Sequence, residues 1–152
     1  MTNAGMVTGA PRHWLRLEAA GIVGLSLVAM SSTKQSWWLI ALVFLAPDLS
    51  AMGYALGHRW GSWCYNLAHA SPAPLVFLAL GWWSHDHLVL ALALVWLMHL
   101  GFDRLLGYGL KYEDDFQHTH LGRLGARRER AAMKERPTTH GDSDRGSRER
   151  GR

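Results

Sequence analysis

The chain has 152 residues, of which 49% are hydrophobic, and it contains eight tryptophans and one cysteine. This length suits a single domain, and one cysteine excludes both an intrachain disulfide and a cluster of thiolate metal ligands. The formal net charge of +4 arises in residues 126–152, where nine basic and five acidic side chains lie, whereas the rest of the chain is neutral.

Four apolar segments follow one another along the chain, at residues 15–32, 37–57, 60–83 and 87–106. Each approaches the ~20 residues that a helix needs to cross ~30 Å of hydrocarbon. The first could be a signal peptide, but Val28-Ala29-Met30 is a poor cleavage site and three further segments follow. We therefore predict an all-α fold, an integral membrane bundle of four transmembrane helices, as one domain at residues 15–125 after a short N-terminal tail at 1–14.

Tryptophan and basic residues predict how the segments lie in a membrane. Seven of the eight tryptophans stand near the ends of segments, as in the interfacial belt of membrane proteins. Basic side chains lie before the first segment, in the second loop and after the fourth segment, whereas the opposite loops contain only Lys34. Because cytoplasmic loops are enriched in Lys and Arg, we predict a multi-pass membrane protein with both termini in the cytoplasm.

Four ionisable residues, Asp48, His69, His99 and Asp103, interrupt the last three segments. Counting 1.5 Å per residue places Asp48 ~17 Å and His99 ~18 Å below the outer surface, with His69 ~14 Å above the inner one. Three helices therefore bring these residues to one depth, just on the cytoplasmic side of the midplane. Asp103 follows His99 by one turn on the same face. Such groups usually face the interior of a bundle.

Two imidazoles and two carboxylates suit a divalent metal, either zinc or manganese or iron. We predict that all four residues are ligands, with Asp103 alternatively acting as a catalytic base. Tyr65 and Asn66 share a helix face with His69, so they can orient its ring or bind substrate, and Asn66 is a second catalytic candidate. Structural explanations stay open, because the Pro-Asp pair at 47–48 can mark a kink and His69 can be a hydrogen-bonded interior residue.

The loop at residues 107–122 combines glycine, acidic residues and histidine. Three acidic residues at 113–115 precede His118 and His120, which makes a second candidate metal cluster, although such loops are usually just solvated. The loop can instead fold beneath the bundle, so that Lys111 or His120 reaches the cytoplasmic mouth of the site. Arg104 is a further functional candidate, although an arginine at a helix end commonly extends to the interface.

Residues 126–152 contain almost no large apolar side chain. They cannot bury enough surface to offset the entropy of ordering, so we predict a basic disordered tail. Its charge makes it a solubilising extension or attracts it to anionic lipid headgroups. We expect no nucleic-acid partner, because no recognised binding motif accompanies the charge.

Three stretches of the sequence resemble a known family: "FLAPDLSAMGY", "YNLAHASPAPL" and "HLGFDRLLGYGLKYEDDFQHTHLG". They are similar to the signature segments of the domain-of-unknown-function 4260 family of small bacterial membrane proteins. The resemblance extends over residues 15–122, and its most specific portion is the run at 103–111. It implies a multi-spanning protein of the bacterial inner membrane, and says less about a mechanism.

A weaker likeness concerns the order of the polar residues. A Pro-Asp pair, a histidine followed shortly by serine, and a His-xxx-Asp pattern are similar to the inner-membrane metal-dependent hydrolase family, which includes zinc-dependent phospholipase-C-like proteins. The likeness implies that Asp48, His69, His99 and Asp103 are metal ligands. Here Ala70 separates the histidine from the serine, and the His-Arg pair at 58–59 stands further upstream than in that family.

Three functions follow from these observations. The leading hypothesis is a metal-dependent hydrolase acting on a lipid or lipid-linked substrate near the inner leaflet, where the ion activates a water molecule. The first alternative is a small ion- or proton-coupled transporter, for which four short spans would require a homo-oligomer. The second is a structural or regulatory membrane protein whose polar residues hold helices together.

Overall fold

The computed structural model describes residues 5–123, so the predicted tail at 126–152 and the first four residues lie outside the described part. This part is built from five α-helices, one 3₁₀ helix and a two-stranded antiparallel hairpin. In chain order they are α1 (Ala10–Ser31), α2 (Trp37–Phe44), the 3₁₀ helix (Pro47–Leu56), α3 (His58–His69), α4 (Pro72–Ser84), α5 (His87–Leu106), β1 (His118–Thr119) and β2 (Gly122–Arg123).

Three helical stretches are long and apolar enough to cross a membrane: Ala10–Ser31, Trp37–Leu56 and His87–Leu106. The second of these consists of α2 and the 3₁₀ helix together. Their outer faces carry more large exposed apolar side chains than a water-soluble monomer usually does, including Trp38, which is 86% exposed. This arrangement is that of a membrane protein, as the sequence predicts.

The third predicted segment is not one continuous helix. It is divided into α3 of 12 residues and α4 of 13, and neither reaches the ~20 residues that a span requires. The helix breaks at Ala70, whose ψ of 141° is extended, just before Pro72. Pro72 has no N–H to donate to the carbonyl of Ala68, and the indole N–H of Trp96 donates to that carbonyl instead, at 2.7 Å.

Helix α5 is the centre of the bundle. It packs against α1, α2 and α4, while the 3₁₀ helix packs against α3. Its buried face joins a small apolar core with α1 and α2, made of Met30, Ile40, Ala91, Leu94 and Val95. Gly101 lets α1 approach closely, because a Cβ there would lie 2.9 Å from a methyl group of Val23.

The chain reverses at Gly107, where a φ of 98° ends α5 and only glycine fits without strain. The loop that follows folds back against α3. Asn66 donates its side-chain amide N–H to the carbonyl of Lys111 and accepts the N–H of Lys111, at 2.8 and 2.7 Å. The N-terminal segment joins this layer, since Val7 donates to the carbonyl of His120 at 2.8 Å.

Candidate metal centre

The four predicted ligands come from three helices. Two of these ligands, Asp48 and His69, lie where a helix is interrupted. Asp48 is in the first turn of the 3₁₀ helix, directly after Pro47 and close to the end of α2. His69 is the last residue of α3, at the break before α4. His99 and Asp103 lie one turn apart on the continuous helix α5. Interrupted helices are typical of ion and substrate sites in membrane proteins.

The structure brings one donor atom from each of these residues together within 4.8 Å of one another. The Nε2 atoms of His69 and His99 are 3.2 Å apart. His69 Nε2 lies 3.6 Å from a carboxylate oxygen of Asp48 and 3.6 Å from one of Asp103. His99 Nε2 lies 3.5 and 3.8 Å from the same two oxygens.

These distances have the size of the edges of a coordination tetrahedron. Ligand bonds of about 2.0–2.2 Å to a tetrahedral ion place the ligand atoms about 3.3–3.6 Å from one another. Five of the six edges measure 3.2–3.8 Å. The sixth edge, between the two carboxylate oxygens, is at most 4.8 Å, so these oxygens would draw together around an ion. The cluster could hold a metal ion in this way, and its oxygen and nitrogen donors leave the identity of the metal open.

Neighbouring groups orient the ligands. His69 Nδ1 lies 2.9 Å from the carbonyl of Tyr65, which can only accept, so Nδ1 carries the proton and Nε2 presents a lone pair. The Tyr65 ring stacks on the His69 ring with centroids 3.7 Å apart, and its hydroxyl donates to Asp103 at 3.3 Å. His99 has the edge contact of Phe44 against its ring, at 5.1 Å between centroids. The carbonyl partner fixes the tautomer of His69, and the ring contacts restrict the rotamers of both histidines.

The cluster is closed on one side and open on the other. Both histidines are buried, and the Asp103 side chain is 17% exposed, but that of Asp48 is 54% exposed. A cavity of about 10 Å³, enough for roughly one water molecule, adjoins the cluster. Its lining includes Tyr65, His69, Asp103 and Arg104. A reactant can therefore approach from the Asp48 side, with room for a water within the bundle.

A comparison with protein families adds an identity to this geometry. Residues 12–124 match the family described as domain of unknown function (DUF4260). The chain belongs to this family. No curated protein and no solved structure matches the chain. Residues 12–124 contain the whole cluster, so the candidate centre lies inside the family domain rather than in an appended segment.

Two of the other predicted site residues in this DUF4260 protein lie beside the cluster rather than in it. Arg104 lines the small cavity and donates to the hydroxyl of Ser71 at 2.8 Å. Asn66 bonds the backbone of Lys111 through both polar ends of its amide, so it fixes the loop against α3. Its predicted catalytic role stays a prediction, and the observed contacts give it a positioning one.

Lys111 is buried among aromatic rings. Its ammonium lies 3.0 Å from the ring centroid of Phe116 and 4.4 Å from that of Tyr65, and it donates to the carbonyl of Phe116 at 3.1 Å. Burial lowers the pKa of Lys111 to about 8. Lys111 therefore packs against the ring of Tyr65, the residue that stacks on His69. The sequence pointed to Lys111 but not to Phe116, because a loop aromatic at this position has no periodic signal.

The second candidate cluster, in the loop, does not form. His120 turns inward, where its Nδ1 accepts the N–H of Leu110 at 2.9 Å, and burial lowers its pKa. His118 pairs with exposed Asp114 at 2.7 Å, and this hydrogen bond lowers the pKa of Asp114. Within residues 5–123, the four-residue cluster is the one group of three or more donors at metal-binding spacing.

Proposed function

We propose that this DUF4260 protein is a membrane-embedded, metal-dependent hydrolase that acts on a lipid or lipid-linked substrate. One observation carries the proposal: two imidazole nitrogens and two carboxylate oxygens from three chain segments lie within 4.8 Å of one another, with five of the six separations close to those of a tetrahedral ion's ligands. Hydrogen bonds account for part of this arrangement, since the two Nε2 atoms are 3.2 Å apart and the Tyr65 hydroxyl donates to Asp103 at 3.3 Å. The four histidine–carboxylate distances of 3.5–3.8 Å are long for hydrogen bonds and suit donors arranged around an ion.

The donor set favours zinc, with manganese and iron as alternatives, because imidazole suits all three and carboxylates broaden the choice. When bound, such an ion supplies an activated water and polarises a phosphoryl or acyl oxygen. His69 and His99 would hold the ion from inside the bundle. Asp48, half exposed, would be the ligand nearest an approaching substrate.

Asp103 has the geometry to hold a proton as well as an ion. One of its oxygens faces both imidazoles and accepts the Tyr65 hydroxyl, and its carboxylate lines the water-sized cavity. A water in that cavity would contact Asp103, which can take its proton as it attacks. The guanidinium of Arg104 lines the same cavity and can stabilise negative charge that develops on a phosphoryl or acyl oxygen.

The membrane placement is part of the same proposal. We infer a fourth crossing in which α3 and α4 act in series, with the break at Ala70 held inside the bundle. The chain then lies in the inner membrane of a bacterium with both termini in the cytoplasm. The orientation follows from the loops on the opposite side, where Lys34 is the sole Lys or Arg. Reporter fusions after Lys34 and after Arg123 would test this, and equal cytoplasmic activity at both would contradict it.

The deciding experiment is metal analysis of the full chain purified in detergent. We expect about one divalent ion per chain in the wild type. His99→Ala opens a cavity and so can destabilise the fold. It is therefore paired with Asp48→Asn, which keeps the size of a half-exposed side chain. Both variants should lose the ion, whereas His87→Gln and Asp114→Asn, at exposed positions, should retain it.

Activity is measured on vesicles of phosphatidylethanolamine and phosphatidylglycerol, with the released products identified by mass spectrometry. Hydrolysis that requires the ion and disappears in Asp48→Asn supports the proposal. A metal-free wild type of intact helical content, or full loading of both ligand variants, would refute it. Cation flux in proteoliposomes without hydrolysis would favour the transporter instead.

A further inference from the structure

A second polar site lies at the end of α5, apart from the metal cluster. Arg12 and Arg16, here called the arginine pair, are four residues apart on one face of α1. Both reach the same turn of the chain. A Cβ added at Gly107 would lie 3.1 Å from Nη2 of Arg16 and 3.5 Å from Nη2 of Arg12. Gly122 lies beside Arg12 at a similar spacing, 3.5 Å.

Within residues 5–123, neither arginine of the pair forms an ion pair with a carboxylate. Arg16 donates a side-chain hydrogen bond to the carbonyl of Leu106, at 3.1 Å. The Nε atoms of both arginines are buried and have no acceptor in the described part of the chain. Two partly buried guanidinium groups directed at one glycine repel each other unless an anion lies between them.

The geometry points to a phosphate-binding site, and we propose that the arginine pair binds the phosphate group of a membrane phospholipid. Guanidinium donates two parallel N–H bonds to phosphate oxygens, which would satisfy donors that the protein leaves open. The absence of a side chain at Gly107 and at Gly122 leaves space beside the arginines. The arginine pair lies in the first two turns of a helix long enough to span, which is the depth of lipid headgroups.

A general attraction of arginine to the interface does not account for these features. Arg59 is the chain's example of that behaviour, because its side chain is 79% exposed and lies 3.9 Å from Glu113. The arginine pair differs, because both side chains are partly buried and reach the turn at Gly107. No acidic side chain among residues 5–123 pairs with them. The site is also independent of the proposed hydrolase, since none of its residues belongs to the metal cluster.

The test compares ligands that differ in the phosphate group. The full chain in detergent is titrated with phosphatidylglycerol in mixed micelles, with diacylglycerol as the phosphate-free counterpart, and separately with inorganic phosphate. Binding is followed by native mass spectrometry and by the thermal unfolding midpoint. A chelator is added in a parallel series, and phosphatidylglycerol binding should persist there because it does not depend on the metal.

We expect Arg12→Gln/Arg16→Gln to weaken phosphatidylglycerol binding by about tenfold or more, as the loss of charge-assisted hydrogen bonds implies. Arg59→Gln should change it less than about twofold, and replacing the arginine pair by lysine should restore part of it. The single variants replace the double variant if it fails to fold. Competition by inorganic phosphate would identify a site that also accepts the free anion. Unchanged binding in the variants, or equal binding of diacylglycerol, would overturn the proposal.

Discussion

Replacing Tyr65 by phenylalanine isolates the contribution of one hydroxyl to the metal cluster. The stacked ring on His69 remains, but the hydrogen bond to Asp103 is lost. Hydrogen bonds to charged acceptors contribute about 1.5–3 kcal/mol, and at 3.3 Å this one belongs at or below the lower end, about 1 kcal/mol. Since 1.4 kcal/mol is a factor of ten, metal affinity should fall about fivefold, somewhat less than the ~10- to 100-fold loss typical of such partners.

The affinity is measured by competition for zinc between the detergent-solubilised protein and a chromophoric chelator at fixed pH. Tyr54→Phe is the matched control, because the Tyr54 hydroxyl is buried and has no hydrogen-bond partner among the described residues. Its removal should leave zinc affinity unchanged. Equal affinities of Tyr65→Phe and Tyr54→Phe would show that the hydroxyl does not support the cluster, and the orientation argument would fail.

Three further predictions concern the surroundings of the site. The folded pKa of Lys111, about 8 against 10.5 when unburied, means that the unfolded chain binds more protons between these values. The unfolding midpoint should thus rise as pH increases from 8 to 10, and Lys111→Met should flatten this rise. Trp96→Phe leaves the Ala68 carbonyl unpaired and should cost about 1–3 kcal/mol in thermal unfolding, whereas exposed Trp82→Phe should be neutral. Asn66→Ala should expose the loop to limited proteolysis; lost hydrolysis with unchanged proteolysis would instead favour a catalytic amide.

The helical architecture was largely predictable, because long apolar runs have few alternatives to a membrane helix. The segment at 60–83 shows the limit of that reasoning. Hydropathy averages over Ala70 and cannot separate a kinked helix from a broken one, although Pro72 marked the position. Whether the carbonyl freed there finds a partner depends on Trp96 of another helix, which no local pattern encodes.

The membership of the candidate metal cluster was predictable, but its geometry was not. Counting residues along each segment predicted one level for Asp48, His69 and His99, and the structure brings these three residues together with Asp103. The faces that helices turn toward each other depend on packing, so the distances could not be derived from sequence. The contact between Asn66 and Lys111 joins residues 45 apart, and it changed the interpretation of Asn66.

The interruptions beside Asp48 and His69 have a consequence for assembly. A helix that is broken keeps fewer of its own backbone bonds, so its two halves depend on neighbours for their position. An ion bound to Asp48, His69 and α5 would cross-link three separate stretches of the chain. Its binding free energy would then contribute to the stability of the native fold. Metal supply in the cell would then govern how much of the protein matures, as well as how active it is.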